Sequence, residues 1–209
     1  MLAGGEIELV LPLRNSEQEA FAFLQEQGEW VERRLASSVA PVALMDHLSR
    51  KPLLTIDGQR RPITFSFNSS KAKPSWRRSV DTGVEFTLHP VKDPEKQMIP
   101  LTTDLAKAYL PVRVASWGKR FGLSPKSVRV GNQRSRWGSC SSKGVLSLNW
   151  RLLLLEPSLH DYVICHELAH LKIMDHSQNY WNYLSKMNPK ATELDRKLNK
   201  VSREIMSIG

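Results

Sequence analysis

The chain has 209 residues, a net charge of +9, and 41% hydrophobic and 24% charged residues, so it can bury one sizeable core, alone or with a smaller companion domain. Its longest apolar run, residues 20–24, is too short to span a bilayer, and its first residues lack the basic start and apolar stretch of a secretory signal. The two cysteines, Cys140 and Cys165, are too few for a disulfide framework. We therefore expect a cytoplasmic protein, and the absence of a membrane-spanning run predicts no membrane contact. The sequence does not indicate an oligomeric state.

The beginning of the chain is predicted to hold a short strand and a helix. Residues 6–13 alternate between apolar and other side chains, as a strand does. Ser16 and Glu19 have the spacing of a capping box, and apolar residues follow at helical spacing to about residue 37. Gly28 weakens this helix but is not expected to end it.

Paired strands are predicted next. Residues 53–56 and 63–67 flank an Asp57-Gly58 turn, which is typical of a β-hairpin. Residues 84–88 alternate in the same way, whereas the Ser-, Lys- and Arg-rich residues 68–79 are typical of a loop. Together with the helix, these strands predict a small antiparallel sheet plus helix as an N-terminal α+β region, residues 1–95.

A proline-rich connector is predicted between this region and a second domain, residues 100–209. Three prolines, Pro90, Pro94 and Pro100, lie within residues 90–103. Helical spacing then runs from about residue 103 to 121. Pro111 lies inside that segment and is expected to kink or split the helix.

The second domain begins with strand signals. Residues 128–130 and 145–150 are apolar and strand-like, and a Gly- and Ser-rich turn is predicted at 138–144. Ser158 and Asp161 have the spacing of a second capping box, which is predicted to open the next helix.

Two more helices are predicted towards the end of the chain. One runs from about residue 177 to 187 and stops before Pro189. The last one begins at Thr192, with Asp195 as its capping partner.

Residues 166–170 read His-Glu-Leu-Ala-His and carry the strongest functional signal. On a helix, His166 and His170 leave the same face one turn apart, so both ring nitrogens can reach one metal ion. Glu167, beside the first ligand, can hold and deprotonate a water at that metal. This pattern predicts half of a zinc hydrolase site, with Zn²⁺ as cofactor and Glu167 as the general base.

The third metal ligand is predicted to be His176, with Glu193 as the alternative. On an unbroken helix His176 would point roughly 120° away from His170, so the chain must bend between residues 171 and 175. Met174 or Asp175 is expected to supply this bend, and the carboxylate of Asp175 to cap a helix end. Glu193 follows His170 by 23 residues, a spacing at which a later helix completes a zinc site in another peptidase class.

The charge is concentrated in the half of the chain that holds the candidate site. Residues 101–209 contain 17 Lys and Arg against 8 Asp and Glu. The electrostatic field of this positive charge can attract an anionic partner, either a nucleotide or nucleic acid, although a solvated basic surface is the commoner reason for such an excess of positive charge.

The leading hypothesis is a zinc-dependent hydrolase of peptides or proteins. The alternatives are a metal-dependent nucleotide phosphoanhydride hydrolase and a zinc-stabilised nucleic-acid-binding module.

Segments on both sides of the histidines carry a family resemblance. Residues 134–141 read Arg-Ser-Arg-Trp-Gly-Ser-Cys-Ser, 148–152 read Leu-Asn-Trp-Arg-Leu, and 176–181 read His-Ser-Gln-Asn-Tyr-Trp. In this order around the central motif, they resemble the YgjP-like metallopeptidase family, related to the SprT and WLM zinc proteins. The resemblance implies a zincin-like core, a zinc site of His166, His170 and His176, and Glu167 as catalytic base.

The flanking residues allow more than one role. Arg136 could bind a carboxylate or phosphate, or it could hold backbone carbonyls in place. Trp137 and Trp150 are expected to pack under the metal-binding helix. Tyr180 could donate a hydrogen bond to an oxyanion, but packing is the favoured role, and Trp181 is expected in the core.

Overall fold

The structure is a computed structural model that describes residues 16–36, 40–69, 73–79 and 83–209. The chain divides into two compact units, Met1–Val42 and Ala43–Gly209. The strand predicted at residues 6–13 lies outside the described residues. No helix in the described part of the chain is long and apolar enough to cross a bilayer.

The first unit contains helices α1 (Glu17–Glu26) and α2 (Gly28–Ala36). The predicted capping box is confirmed, because the Glu19 N–H donates to Ser16 Oγ at 3.3 Å and the Ser16 N–H donates to Glu19 Oε2 at 2.8 Å. The expectation of one helix passing through Gly28 is wrong. A turn at Gln27 separates α1 from α2, directly before the residue with the greatest backbone freedom.

The second unit begins with a short helix and a four-stranded sheet. The elements are α3 (Leu44–Arg50), β1 (Leu53–Ile56), β2 (Gln59–Phe67), β3 (Ser75–Ser79) and β4 (Gly83–Leu88), and the strand order is β1-β2-β4-β3. The predicted hairpin is confirmed: β1 and β2 pair antiparallel, and Asp57 and Gly58 both have left-handed backbones, with φ of 53° and 73°. Two successive left-handed residues are the signature of a type I′ turn.

Two expectations about this sheet are wrong. The sheet is mixed and not antiparallel, because β2 and β4 run parallel, with Phe65 opposite Phe86. The region predicted as a loop contains β3, which pairs antiparallel with β4 at the sheet edge.

A long helix, α4 (Pro94–Phe121), replaces the predicted connector. Asp93 caps it by accepting from the Glu95 N–H at 2.9 Å, and Pro94 occupies a first-turn position, where its missing N–H costs nothing. The helix also continues through Pro100 and Pro111, so Pro111 does not split it, and the alternative of a kink there stays a prediction.

The second sheet has three strands and leads into the candidate site. The strands are β5 (Ser127–Gly131), β6 (Gly138–Cys140) and β7 (Val145–Asn149), and a 3-10 helix (Trp150–Leu154) follows. Their order is β5-β7-β6, with β7 parallel to β5 and antiparallel to β6. β6 is therefore an edge strand, lying in the region predicted only as a turn.

Three helices complete the unit: α5 (Pro157–Ala169), α6 (Gln178–Met187) and α7 (Ala191–Met206). The capping box predicted at Ser158 is wrong, since Glu156 precedes α5 and Asp161 is bonded to Arg113 instead. α7 also begins without the predicted side-chain cap. Most of α5 is buried, because it packs against α4, α6, α7 and β6.

The described part of the chain is an α+β structure of two small sheets and several helices. The predicted domain boundary at residues 95–100 falls inside α4, and the division there stays a prediction. Contacts join the two sides, since the Thr55 hydroxyl of β1 donates to the Leu155 carbonyl that follows the 3-10 helix.

Candidate active site

The end of α5 brings the motif histidines to one place. His166 lies in the last turn of α5, and His170 directly follows its last helical residue. The N–H groups of Lys172 and Ile173 both donate to the Ala169 carbonyl, at 3.0 and 3.1 Å, which turns the chain out of the helix. This turn occupies residues 170–172, earlier than Met174 or Asp175, and none of its residues has a left-handed backbone.

The turn returns the chain so that His176 meets the other two histidines. One potential ligand atom from each of His166, His170 and His176 lies within 4.8 Å of the others. The Nε2 atoms of His166 and His176 are 3.2 Å apart. Two nitrogens bound to one tetrahedral zinc at their usual distances would lie about 3.3 Å apart. The arrangement therefore fits a metal of that size and coordination.

The protonation of the rings also suits a metal. Burial, and then the neighbouring His170 and His176, lower the pKa of His166 to about 3, so this ring is neutral. Nδ1 of His170 lies 3.0 Å from the Ile173 carbonyl. Because a carbonyl only accepts, Nδ1 carries the proton and Nε2 keeps its lone pair free. Neutral imidazole is the form that binds zinc.

Tyr180 of α6 packs among the three imidazoles. Its ring stacks on His170 at 4.6 Å, and its ring centroid is 4.8 Å from that of His176 and 5.4 Å from that of His166. Its hydroxyl donates to the His166 carbonyl at 3.2 Å. The side chain is fully buried, so Tyr180 supports the cluster, in agreement with the favoured role. Trp181, expected in the core, is only partly buried.

Glu167 is a buried carboxyl beside this cluster. Only 5% of the residue is exposed, and burial raises its pKa to about 8, against the opposing charge of Arg136. Its carboxyl group packs on Gly138 of β6. A Cβ added to Gly138 would lie 2.6 Å from Glu167 Oε1 and 2.7 Å from its Cγ, so only glycine leaves room for the side chain.

Comparison with known proteins assigns the family. The model of the YgjP-like metallopeptidase domain matches residues 2–201. The chain belongs to the YgjP-like metallopeptidase family. This membership and the histidine cluster support a metal-dependent hydrolase.

One solved structure is similar to this YgjP-like domain. It is the crystal structure of the metallopeptidase zymogen of Pyrococcus abyssi abylysin, with 29% sequence identity over 43% of this chain and 92% of that chain. Its TM-score is 0.38, a likeness too low to support any structural argument here. No curated protein matches the chain.

The other candidates in the YgjP-like domain lie outside the cluster. Glu193, the alternative third ligand, is exposed in the first turn of α7. Asp175 accepts from the Ser177 N–H at 3.0 Å in the turn before α6, but α6 begins without a side-chain cap, so the predicted capping role of Asp175 is wrong. Cys140 and Cys165 are both free thiols, and burial is the main reason that the pKa of each is raised.

The tryptophans of the family segments have indole N–H groups bonded to other parts of the domain, and their packing under the metal-binding helix stays a prediction. Trp137 donates from Nε1 to Ser202 Oγ of α7 at 2.8 Å. Trp150 donates to Asn132 Oδ1 at 2.9 Å, in the loop before β6.

Sequence reasoning missed the contributions of Gly138 and Asn149 to this site. The sequence indicates only a turn residue at Gly138, because its contact with Glu167 joins residues far apart in the chain. Asn149 holds the loop before β6 by donating to the carbonyls of Gln133 and Arg136, at 2.6 and 3.0 Å. The available signal for Asn149 is a polar residue at the end of the apolar strand β7.

Proposed function

We propose that this domain is a zinc-dependent hydrolase of peptide bonds, in which His166, His170 and His176 hold the metal and Glu167 is the general base. The observation that carries the proposal is the convergence of three imidazole nitrogens within 4.8 Å. Glu167, next in sequence to the first of them, is a buried carboxyl with no hydrogen-bond partner among the described residues.

The donor set supports a catalytic metal more than a structural one. When bound, zinc supplies Lewis acidity, which activates water and polarises a carbonyl group. Structural zinc is usually enclosed by four protein ligands and is rich in cysteine, whereas catalytic zinc keeps three. In the described part of the chain the cluster comprises three histidines and no fourth His, Cys, Asp or Glu. This count argues against the zinc-stabilised nucleic-acid-binding module.

Glu167 is suited to accept and return a proton. Burial raises the pKa of its carboxyl group to about 8, near the working pH that favours a general base. A dication beside it would favour the ionised form and lower that pKa again. The carboxylate would take a proton from the attacking water and pass it to the leaving amine.

The strand next to Glu167 favours a peptide as substrate. β6 pairs only with β7 among the described strands, so its other edge can bond to an added chain. Extended peptides commonly bind by adding a strand to such an edge. An edge strand beside the metal-binding helix is also the arrangement of the zincin-like core that we propose here.

The test compares Glu167→Gln with the wild type and with the control variant Glu193→Gln. We expect Glu167→Gln to bind zinc as the wild type does but to lose at least roughly 100-fold in hydrolysis, because it removes the base and keeps the shape. Glu193→Gln should change neither property. Metal content, casein and peptide cleavage, and phosphate release from nucleoside triphosphates are measured on the same preparations.

Each outcome has a clear meaning. Loss of peptide cleavage in Glu167→Gln alone supports the proposal. Retained cleavage in that variant removes Glu167 from its role. Phosphate release without peptide cleavage by the wild type would replace the peptidase with a nucleotide hydrolase, and salt-dependent nucleic-acid binding without any hydrolysis would favour a binding module.

A further inference from the structure

The loop between β5 and β6 is held at both ends by buried groups. The Asn149 amide, fully buried, donates to the carbonyls of Gln133 and Arg136. Asn132 Oδ1 accepts from Trp150 Nε1 at 2.9 Å and from Arg151 Nη1 at 2.6 Å. These bonds fix the backbone that presents Arg136.

The guanidinium of Arg136 is free despite this rigid support. The residue is exposed, and within the described residues no hydrogen bond or ion pair engages its side chain. Other arginines of the unit are occupied: Arg113 pairs with Asp161, and Arg151 donates to the carbonyls of Ile208 and Gly209. Holding backbone carbonyls, one of the two roles considered for Arg136, belongs to Asn149 and Arg151.

Arg136 lies close to the proposed base. It precedes Gly138 by two residues, so their Cα atoms are at most about 7 Å apart. Gly138 is the residue against which the Glu167 carboxyl group packs. Among the described residues, the charge of Arg136 opposes the effect of burial on the pKa of the Glu167 carboxyl.

Resting on the proposed function, we propose that Arg136 is a specificity-determining residue that binds a carboxylate group of the peptide substrate close to the scissile bond. A free guanidinium matches a carboxylate with two parallel hydrogen bonds. A substrate strand paired with β6 would pass beside the loop that carries it. A polyphosphate usually engages several cations, whereas one guanidinium matches one carboxylate.

The carboxylate could belong to an acidic side chain or to the carboxyl terminus of the peptide. Two pairs of peptides separate these sources. The first pair carries Glu or Gln next to the cleaved bond, with an amidated carboxyl terminus. The second pair has a Gln at that position and ends in either a free carboxylate or an amide.

The chain offers a matched control for the variant Arg136→Gln. Arg134 lies on the same loop and is equally exposed, but its charge acts on Arg151 and not on Glu167. Arg134→Gln therefore removes the same charge from the chain without touching the proposed contact. Arg136→Lys keeps the charge and loses the two-bond geometry.

We expect the wild type to prefer the carboxylate member of one peptide pair by roughly 10-fold in kcat/KM. Arg136→Gln should abolish that preference, measured as the ratio of kcat/KM for the two members of the pair, so that an equal effect of the lost charge on both members cancels. Arg136→Lys should keep part of the preference, and Arg134→Gln all of it. Equal kcat/KM for both members of both pairs in the wild type, or an unchanged preference in Arg136→Gln, would overturn the proposal.

A binding experiment separates this proposal from the hydrolase itself. The three different peptides of these two pairs, carrying a fluorescent label, are titrated into zinc-loaded Glu167→Gln, with and without Arg136→Gln, at two salt concentrations. Tighter, salt-sensitive binding of a carboxylate peptide that depends on Arg136 supports the contact, even if the wild type cleaves none of them and the proposed function fails. The proposed contact is contradicted if the affinity for the peptides depends neither on their carboxylate nor on Arg136. It is also contradicted if only nucleoside triphosphates bind in an Arg136-dependent way.

Discussion

Glu167 is held in place by close packing against a residue that has no side chain. A Cβ on Gly138 would fall 2.6–2.8 Å from three atoms of the Glu167 carboxyl group and its stem. We therefore expect Gly138→Ala to displace the carboxylate and lower kcat by roughly 10- to 100-fold, since about 1 Å of misplacement has effects of that size. Zinc content should not change, because the histidines are untouched. Steady-state kinetics and metal analysis measure both.

Two controls show whether this effect passes through Glu167. Gly28→Ala, at a glycine with open space around it, should leave activity unchanged. In a Glu167→Ala background the new methyl group at residue 138 has room, so the stability cost of Gly138→Ala should shrink by about 0.5–3 kcal/mol. An equal stability cost in both backgrounds would show that the strain lies elsewhere.

The identity of the proposed third metal ligand gives a second prediction at the level of single residues. The structure brings His176, and not Glu193, to His166 and His170 at the end of α5. His176→Ala should weaken zinc binding by more than the roughly 10- to 100-fold that loss of an outer-shell partner causes. Glu193→Ala should bind zinc as the wild type does. Competition with a chromophoric chelator measures both affinities, and the reverse ranking would restore Glu193 as the ligand.

Residue spacing reveals only those parts of a site that lie on one local element. The i, i+4 pair of His166 and His170 is visible because a helix repeats every 3.6 residues. The need for a bend before His176 follows from the same geometry. The contact of Gly138 with Glu167 joins a strand to a helix, so the sequence of neither segment alone predicts it.

At the scale of elements, the predictions from sequence are wrong where tertiary contacts outweigh the local preference of residues for a loop, strand or helix. β3 contains Arg77 and Arg78, which read as loop residues, but each makes an ion pair at 2.7 Å, with Glu85 and Asp57. Charged side chains are usual on an edge strand.

The helix α4 continues through Pro100 and Pro111 because the helix has a buried apolar face, which includes Met98, Leu105 and Leu110.

The helices α4 and α5 are joined by an ion pair that predicts behaviour in acid. Arg113 Nε donates to Asp161 Oδ1 at 2.8 Å, and its Nη2 donates to the second oxygen. Burial alone would raise the pKa of Asp161, but the hydrogen bonds from Arg113 and His160 outweigh it and hold that pKa at about 2. A depressed carboxyl pKa stabilises the fold above the unfolded value near 4, and this stabilisation is lost as pH falls towards 2.

Asp161→Asn should therefore lower the free energy of unfolding by at least about 2 kcal/mol at pH 7, and by much less near pH 2. Urea unfolding of the metal-free protein across that range measures the difference. Glu85→Gln is the matched control, because its partner Arg77 has 79% of its side chain exposed, and exposed pairs contribute little. An acid dependence that is the same in wild type and Asp161→Asn would contradict the assignment.

At the scale of the molecule, contacts cross the boundary that the prolines suggested. Thr55 donates to the Leu155 carbonyl, and Arg60 pairs with Glu156 at 3.7 Å. The helix α4 itself runs across that boundary, and Glu95 in its first turn joins it to α3 by accepting from the N–H groups of Leu44 and Met45 at 2.6 and 3.0 Å. These contacts make the first sheet part of the support for the segment that leads into α5.

Two fragments test whether the independently folding unit begins at residue 43 or at the predicted boundary near residue 100. Residues 43–209 keep both sheets, all of α4 and the histidine cluster, so this fragment should unfold cooperatively and bind zinc with the affinity of the full chain. Residues 100–209 lack the first sheet and the first turn of α4, which leaves the Leu155 carbonyl without its Thr55 donor and much of the apolar face of α4 uncovered. We expect that fragment to lose cooperative unfolding, because exposed core surface and unpaired buried groups both destabilise it. Thermal unfolding and zinc titration of the two fragments decide between the boundaries, and a cooperatively folded, zinc-binding fragment 100–209 would establish the catalytic domain that the prolines predicted.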